Sequence, residues 1–284
     1  MKTAFVTDTG TGLTPKQMAE DGIIGIPLQI TVDDKTYLEG EEISLDEVYG
    51  IMAQGKLLKT SLASMKRTEE VFSQLKEEGY EAIFAVPICS GLSGTINMMR
   101  IVAEELGLQF DYFDCHVTAV VQYYMVRRAK QLQEQGKSNE EIKQVLMDIC
   151  DSTNTLIIPD DLKHLQRGGR LTPLAATLGG MLKIKPILEI NKRTLGKIDV
   201  LGKVRTMRKA MERTLDDIKE HITNDGENYQ IVVTHVVAEE NGKQLLALYK
   251  EAFPKAEFMF IPLVSVVGVH TGIGALAIQY FKKI

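Results

Sequence analysis

The sequence predicts an α/β protein of two domains, with a mostly parallel sheet in the N-terminal domain and a mixed sheet in the C-terminal one. In the first half, short apolar runs alternate with segments whose apolar residues are spaced three and four apart, as strands alternate with amphipathic helices. In the second half, two strand-like runs meet at the polar segment 191–196, which indicates a hairpin and therefore a mixed sheet. A length of 284 residues suffices for two such domains.

The N-terminal half alternates predicted strands and helices. Strands are expected at residues 4–7, 23–31, 82–88 and 110–113, and helices at residues 15–20, 44–54, 66–78, 95–106 and 117–135. Ser44 and Ser138 each precede a glutamate by three residues, Glu47 and Glu141, so capping boxes are expected to start helices at both serines. The polar segment 33–42 predicts a hairpin or excursion.

The C-terminal half begins with a predicted strand at residues 155–159, followed by a strand pair at 184–190 and 197–201. A helix at 204–222, a strand at 229–236, a helix at 239–252 and a strand at 257–263 come next, and a last helix is expected after His270. This organisation places the domains at residues 1–153 and 154–284.

The composition excludes several classes of protein. A formal net charge of -5 argues against a nucleic-acid partner. The three cysteines lie far apart, and their odd number leaves at least one unpaired, which fits a reducing compartment. No signal peptide precedes the first strand-like run, and no apolar run approaches the roughly 18 residues that a membrane span needs. We therefore expect a soluble cytoplasmic protein.

The segment Ser-Gly-Leu-Ser-Gly-Thr at residues 90–95 is the most informative one, because it lies between a predicted strand and a predicted helix. Small residues there let a ligand approach the backbone, and the first amides of the helix point at an anion. Ser93 and Gly94 are thus candidate binding residues for a carboxylate or phosphate. Taken alone, the turn is explained more simply by ordinary helix capping.

Three other turns carry polar side chains with alternative interpretations. Thr60 and Ser61 either cap the next helix or line a cleft. His270 and Thr271, in a glycine-flanked segment, either bind a ligand or satisfy a helix end. Asp8, at the end of the first strand, either orients a site residue, caps the segment 14–20 or closes the turn.

Basic residues concentrate in the second half. Arg167 and Arg170 flank two glycines and form either an exposed loop or an interdomain or anion contact. Residues 183–209 hold nine basic side chains against two acidic ones. This excess predicts a docking patch for an acidic protein or an anionic membrane around Lys203, Arg205 and Arg208, with a solvated face as the alternative.

Motifs for cofactors and metals are missing from the sequence. Gly196 and Gly202 are separated by five residues rather than four, and Val204 stands where a P-loop has Ser or Thr. The glycine after Ser93 breaks the spacing of a hydrolase nucleophile elbow. The five histidines lack the spacing of zinc ligands. We therefore expect no bound cofactor and no metal.

Six segments in order resemble the signature of the DegV family, the bacterial fatty-acid-binding proteins. They are Lys-Thr-Ser at 59–61, Ser-Gly-Leu-Ser-Gly-Thr at 90–95, Leu-Gln-Arg-Gly-Gly-Arg at 165–170, Met-Leu-Lys-Ile-Lys-Pro-Ile at 181–187, Lys-Val-Arg-Thr at 203–206 and His-Thr-Gly-Ile-Gly-Ala at 270–275. Leu62 and Ala63 depart from the Gln-Pro that follows Thr-Ser in the family pattern.

The resemblance implies a long-chain fatty acid held between the two domains. Its carboxylate would be bound by Thr60 and Ser93, with His270 completing the network and Ser61, Gly94 and Thr271 adjoining. The resemblance also implies a partner, the ATP-binding subunit of a fatty acid kinase, to which the carboxylate is presented. An acyl-ester hydrolase using Ser93 and His270, and a lipid-sensing regulatory protein, remain the alternatives.

Overall fold

The computed structural model describes residues 2–160, 165–166, 169–177 and 184–284. They fall into two compact units, Met1–Asp148 and Ile149–Ile284. The α/β class is confirmed. The first unit contains β1 (Thr3–Asp8), α1 (Pro15–Glu20), β2 (Ile24–Ile26), β3 (Gln29–Val32), β4 (Lys35–Leu38), α2 (Leu45–Ala53), β5 (Leu58–Ser61), α3 (Met65–Glu77), β6 (Ala82–Ala85), α4 (Thr95–Glu105), β7 (Gln109–Tyr112), α5 (Ala119–Glu134) and most of α6 (Asn139–Asp151).

The main sheet of the first unit is parallel, in the order β2-β1-β6-β7. Strands β1 and β6 lie at its centre and are almost wholly buried, as expected for parallel strands covered by helices. A smaller antiparallel sheet has the order β4-β3-β5. The hairpin expected at residues 33–42 is present as the turn between β3 and β4.

Side-chain caps start several helices of this unit. Thr14 and Ser44 form capping boxes with Gln17 and Glu47, and the helix expected at Ser138 begins at Asn139. Ser64 caps α3 by accepting a hydrogen bond from Arg67 N at 3.3 Å. Thr60 and Ser61 are therefore not the cap of that helix, and Asp8 is not the cap of α1.

The second unit contains β8 (Asn154–Ile158), α7 (Pro173–Thr177), β9 (Lys185–Ile190), β10 (Asp199–Val204), α8 (Met207–Lys219), β11 (Tyr229–His235), α9 (Glu239–Ala252), β12 (Glu257–Pro262), α10 (Ser265–Thr271) and β13 (Leu276–Lys282). Its six-stranded sheet has the order β10-β9-β8-β13-β11-β12. The β9–β10 pair is antiparallel and the β11–β12 pair is parallel, so the predicted mixed sheet is confirmed. The expected boundary near residue 153 falls between α6 and β8 and stays a proposal.

The structure corrects two predictions in the first unit. The run 23–31 is two strands in different sheets, β2 and β3. Pro27 lies between them, and a proline offers no N–H to a sheet ladder. Strand β5, which holds Thr60 and Ser61, was not predicted, because its residues Leu-Lys-Thr-Ser show little apolar character.

Two predictions in the second unit are also wrong. The helix expected from residue 204 begins at Met207, since Val204 ends β10 and Thr206 caps α8. The last element is a strand rather than a helix, and His270 lies within α10, before it. Gly272 and Gly274 have φ values of 82° and 91°, a conformation that ends a helix. Strand β13 then pairs with both β8 and β11.

Candidate functional site

The carboxyl ends of β1 and β6 form a topological switch point in the first unit. From β1 the chain runs to β2 on one side, and β6 pairs with β1 on the other side. Ligands of open α/β sheets bind at such a point, where the loops that follow the two strands diverge. Asp8 ends β1, and the segment that contains Ser93 follows β6.

Asp8 is the central buried group at this edge. Its Oδ1 accepts hydrogen bonds from Gly10 N at 2.8 Å and Gln122 Nε2 at 2.9 Å, and its Oδ2 accepts one from Ile88 N at 2.8 Å. Burial raises the pKa of Asp8 to about 6 against the lowering effect of these three bonds. Asp8 therefore closes the turn after β1, which was one of the interpretations of its sequence position. It also fixes the loop after β6 through Ile88 N.

Ser93 lies at the end of a tight turn, which we call the Ser93 turn (residues 89–93). Cys89 O accepts hydrogen bonds from Leu92 N at 3.0 Å and from Ser93 N at 3.1 Å. Ser93 Oγ accepts a bond from Thr95 N at 3.3 Å and shares a second bond, of 2.9 Å, with Thr95 Oγ1. Thr95 Oγ1 accepts in turn from Ala63 N at 3.4 Å.

Gly94 occupies the N-cap position of α4 without a side-chain capping bond. Its φ is -80°, a value that any residue adopts. A Cβ built at Gly94 would meet no atom within 4 Å. Neither backbone conformation nor packing therefore requires glycine at this position, and the space beside the helix start is open.

Thr60 and Ser61 form the end of β5, the edge strand of the small sheet. Two residues later, Ala63 N contacts Thr95, and Gln29 Nε2 donates to Leu62 O at 2.8 Å. These bonds bring the chain just after Thr60 and Ser61 to the start of α4. The structure thus joins the segments of two predicted site regions, 60–61 and 93–94, within the first unit.

His270 and Thr271 form the last turn of α10 in the second unit. Thr271 is buried, and its Oγ1 donates to Gly268 O at 3.4 Å. His270 is half-buried. Gly274 N donates to Val236 O at 2.8 Å, and a Cβ at Gly274 would lie 2.9 Å from Asp160 Cβ. Gly274 therefore permits close packing against Asp160.

The comparisons with known proteins identify the chain as a whole. The family model "Uncharacterised protein, DegV family" matches residues 2–283. The chain belongs to the DegV family. A DegV domain-containing protein of Streptococcus pneumoniae is 32% identical over 286 residues, with 100% of both chains covered. The resemblance stated from the six sequence segments is confirmed.

Two solved DegV proteins match along their full length. A fatty acid binding DegV family protein from Streptococcus agalactiae has a TM-score of 0.87 and 32% identity, and both chains are covered to 100%. DegV from Bacillus subtilis, described as a fatty acid binding protein, has a TM-score of 0.85 and 30% identity, again with 100% coverage of both chains.

The basic residues of the second unit differ in their contacts. Arg208 Nε pairs with Glu212 at 2.9 Å, while Lys203 and Arg205 are exposed. Arg170 precedes a bridge between Leu171 and Ile198, and its carbonyl accepts from Ile198 N at 3.2 Å. Arg167 lies outside the described residues. The DegV motif at residues 203–206 thus runs from the exposed end of β10 to the cap of α8.

Sequence analysis missed several contributors to the site. Gln122 and Asp114 contact Asp8 and Ser90, respectively, and both are distant from their partners in sequence. For the contact between Ser90 and Asp114, the available signal was the prediction of β6 and β7 as parallel neighbours, since the loops after adjacent parallel strands lie side by side.

The described residues also bear on disulfides, metal sites and membrane-spanning helices. Cys89, Cys115 and Cys150 are all buried, and none of the three forms a disulfide. Among residues 2–160, 165–166, 169–177 and 184–284, no group of three or more His, Cys, Asp or Glu side chains is arranged to hold a metal ion. Within the same ranges, no helix combines the length and hydrophobicity that crossing a membrane requires.

Proposed function

We propose that this chain binds a long-chain fatty acid in the bacterial cytoplasm and presents its carboxylate to a separate ATP-dependent kinase subunit, which would form the acyl phosphate. Membership of the DegV family and the two solved fatty acid binding relatives support the first step. In this proposal the chain itself catalyses no reaction and uses no cofactor.

The hydrogen bonds of Ser93 carry the proposal. Ser93 Oγ accepts from Thr95 N and shares a second hydrogen bond with Thr95 Oγ1, in which either oxygen can be the donor. Thr95 Oγ1 also accepts from Ala63 N and retains its own proton. With that proton donated to Ser93 Oγ, the single proton of the Ser93 hydroxyl is left to donate to a ligand.

An anionic headgroup suits the surroundings of that proton. The start of α4 adds backbone N–H groups and the positive end of the helix dipole, and Gly94 leaves space beside them. A carboxylate removed from water must be hydrogen-bonded. We propose that Thr60 and Ser61 supply further hydroxyls, and that His270 and Thr271 contribute to binding the same carboxylate.

The acyl chain would supply most of the binding free energy. Burial of a C16 chain gives a gross gain on the order of 10 kcal/mol, at about 0.8 kcal/mol per methylene. Association and ordering costs consume several kcal/mol of this gain. The remainder adds to the contribution of the hydrogen bonds to the carboxylate.

Ser93→Ala is expected to weaken palmitate binding by about 1–3 kcal/mol, because a buried carboxylate oxygen loses a donor. Isothermal titration calorimetry on delipidated protein gives the Kd. Ser73→Ala, which removes a hydroxyl from the middle of α3, serves as the matched control and should bind as the wild type does. Equal affinity of Ser93→Ala, Thr60→Ala and the wild type would contradict the site.

Gly94→Ala is expected to separate binding from stability. The φ of Gly94 and the open space around it accept a methyl group, so the free energy of unfolding should stay constant or rise by about 0.4–1 kcal/mol. The same methyl group would occupy space that the ligand needs, and palmitate affinity should fall at least tenfold. Urea unfolding and calorimetry on one preparation measure both quantities; undiminished affinity would show that the ligand does not approach Gly94.

The Ser93 geometry favours binding over hydrolysis. Both hydrogen bonds of Ser93 Oγ join it to Thr95, whose groups cannot act as a general base. Incubation of the purified protein with a p-nitrophenyl acyl ester, with Ser93→Ala as control, distinguishes the two functions. Ester turnover that depends on Ser93 would replace the proposal with the hydrolase alternative.

We propose that the kinase subunit docks on the exposed basic surface around Lys203, Arg205 and Arg208. Arg205→Ala is expected to reduce phosphorylation of the bound fatty acid by the cognate kinase, more strongly at low salt than above 0.1 M, where the Debye length falls below about 10 Å. Palmitate affinity should stay at the wild-type value. Lys219→Ala, at the other end of α8, is the control.

Anionic vesicles test the alternative partner of this surface. If Arg205→Ala slows fatty-acid exchange with phosphatidylglycerol vesicles but leaves phosphorylation intact, the surface contacts a membrane instead. Normal rates in both assays would identify it as solvated surface.

A further inference from the structure

Asp114 connects the loop after β7 to the beginning of the Ser93 turn. Its Oδ2 accepts a hydrogen bond from Ser90 Oγ at 2.5 Å, and Ser90 N lies 3.4 Å from both carboxylate oxygens. Its Oδ1 also accepts from His116 N at 3.2 Å. The Asp114 side chain is only 19% exposed, so these donors provide much of its solvation.

The Ser93 turn links the position of Ser90 to that of Ser93. Cys89 O accepts from Leu92 N and Ser93 N, and Cys89 N donates to Val117 O at 3.4 Å. Because these bonds fix the backbone on both sides of Ser90, a displacement of Ser90 would shift the whole turn. Asp114 thus anchors the turn through the side chain of Ser90.

The backbone beside Asp114 is strained. His116 has a φ of 54°, a left-handed conformation that residues other than glycine rarely adopt. Such strain persists where surrounding contacts fix it, and it concentrates at functional sites. The bond from His116 N to Asp114 is one of those contacts, so Asp114 fixes both its own loop and the Ser93 turn.

A carboxylate close to a site for an anion is electrostatically unfavourable unless donors compensate its charge. A purely structural link between the two loops would not require a charged acceptor. The bonds that Asp114 receives from Ser90 and His116 provide the compensation, and they direct its carboxylate at the turn.

We infer that Asp114 is a positioning residue for the fatty-acid carboxylate: it fixes Ser90 so that the turn presents Ser93 Oγ to the ligand. This inference rests on the proposed function. Asp114 itself does not contact the ligand in this scheme, so its effect on affinity depends on the presence of the Ser93 hydroxyl.

A double-mutant cycle of Asp114→Ala and Ser93→Ala, with palmitate as the titrant, tests this dependence. Asp114→Ala is expected to raise the Kd about 2- to 10-fold, the range of one hydrogen bond. In the Ser93→Ala background the same change should have little further effect. Asp114→Asn keeps one acceptor oxygen and should restore most of the affinity. Asp111→Asn removes a carboxylate that instead contacts Asn139 and Lys143, and it serves as the control.

The outcomes distinguish the inference from the proposed function. Wild-type protein that fails to bind palmitate overturns both. A Ser93→Ala variant with weakened binding, combined with an Asp114 effect that is absent or equal in the two backgrounds, overturns only the inference. If urea unfolding shows that Asp114→Ala does not fold, Ser90→Ala replaces it in the cycle, because it removes the hydroxyl bond and leaves the carboxylate in place.

Discussion

Palmitate at a hundredfold excess over its Kd is expected to raise the free energy of unfolding by about 2.7 kcal/mol, because a ligand that binds only the folded state stabilises it by mass action. For units of roughly 140 residues, this corresponds to several degrees in Tm. Differential scanning fluorimetry of delipidated protein measures the shift. The size of the effect reports binding of the whole ligand, so it tests the proposed function without assuming which residues take part.

Acetate supplies the control for the acyl chain. It presents the same carboxylate without the methylenes that provide the gain on burial, so at matched concentration it should leave Tm nearly unchanged. A series of fatty acids from C8 to C18 should give shifts that grow with chain length. Equal shifts from acetate and palmitate would show that the acyl chain contributes nothing and would contradict the proposal.

The alternating apolar runs of the first half contain enough information to predict the parallel sheet. Strand β6 and the centre of β1, residues 4–6, are continuously apolar, as expected for buried parallel strands, and this pattern does not depend on the neighbouring strands. Strand β5 lies at the edge of a small sheet. Its four residues are held mainly by pairing with β3, which a local pattern does not reveal.

Strand β13 shows the same limit in the second unit. Its apolar residues fit a helix as well as a strand when the sequence is taken alone. The antiparallel partners on its two sides, β8 and β11, are more than a hundred and about forty residues away in the chain, and they decide the conformation.

The candidate site was predictable only where its residues share one turn. Ser93 and Gly94 follow a strand directly, so their sequence indicates a binding turn. The contacts of Asp8 with Ile88 and of Ser90 with Asp114 join residues separated by 80 and 24 positions. They arise from the order β2-β1-β6-β7 and therefore follow from the fold, not from any motif.

Asp8→Asn is expected to remove a large part of the pH dependence of stability. The pKa of Asp8 is about 6 in the folded protein and 3.8 in the unfolded reference. Between these values the folded state binds more protons than the unfolded state, so the free energy of unfolding falls as the pH rises. Above pH 6 the free energy of unfolding has fallen by its full amount, about 3 kcal/mol for a shift of roughly two pKa units. Asparagine does not titrate, so the free energy of unfolding of the Asp8→Asn variant should lack this decline.

Urea unfolding of the wild type and Asp8→Asn at several pH values between 4 and 7.5 measures the effect as a difference between the two curves. The variant exchanges one acceptor oxygen for an amide that faces existing donors, which adds a destabilisation of about 1–3 kcal/mol. That cost does not vary with pH, so it shifts the curve without changing its slope.

Thr7→Val is the matched control: it removes the acceptor of another Gln122 bond but keeps the carboxyl group. Its curve should run parallel to that of the wild type, and a parallel curve for Asp8→Asn would show that Asp8 does not titrate in this range.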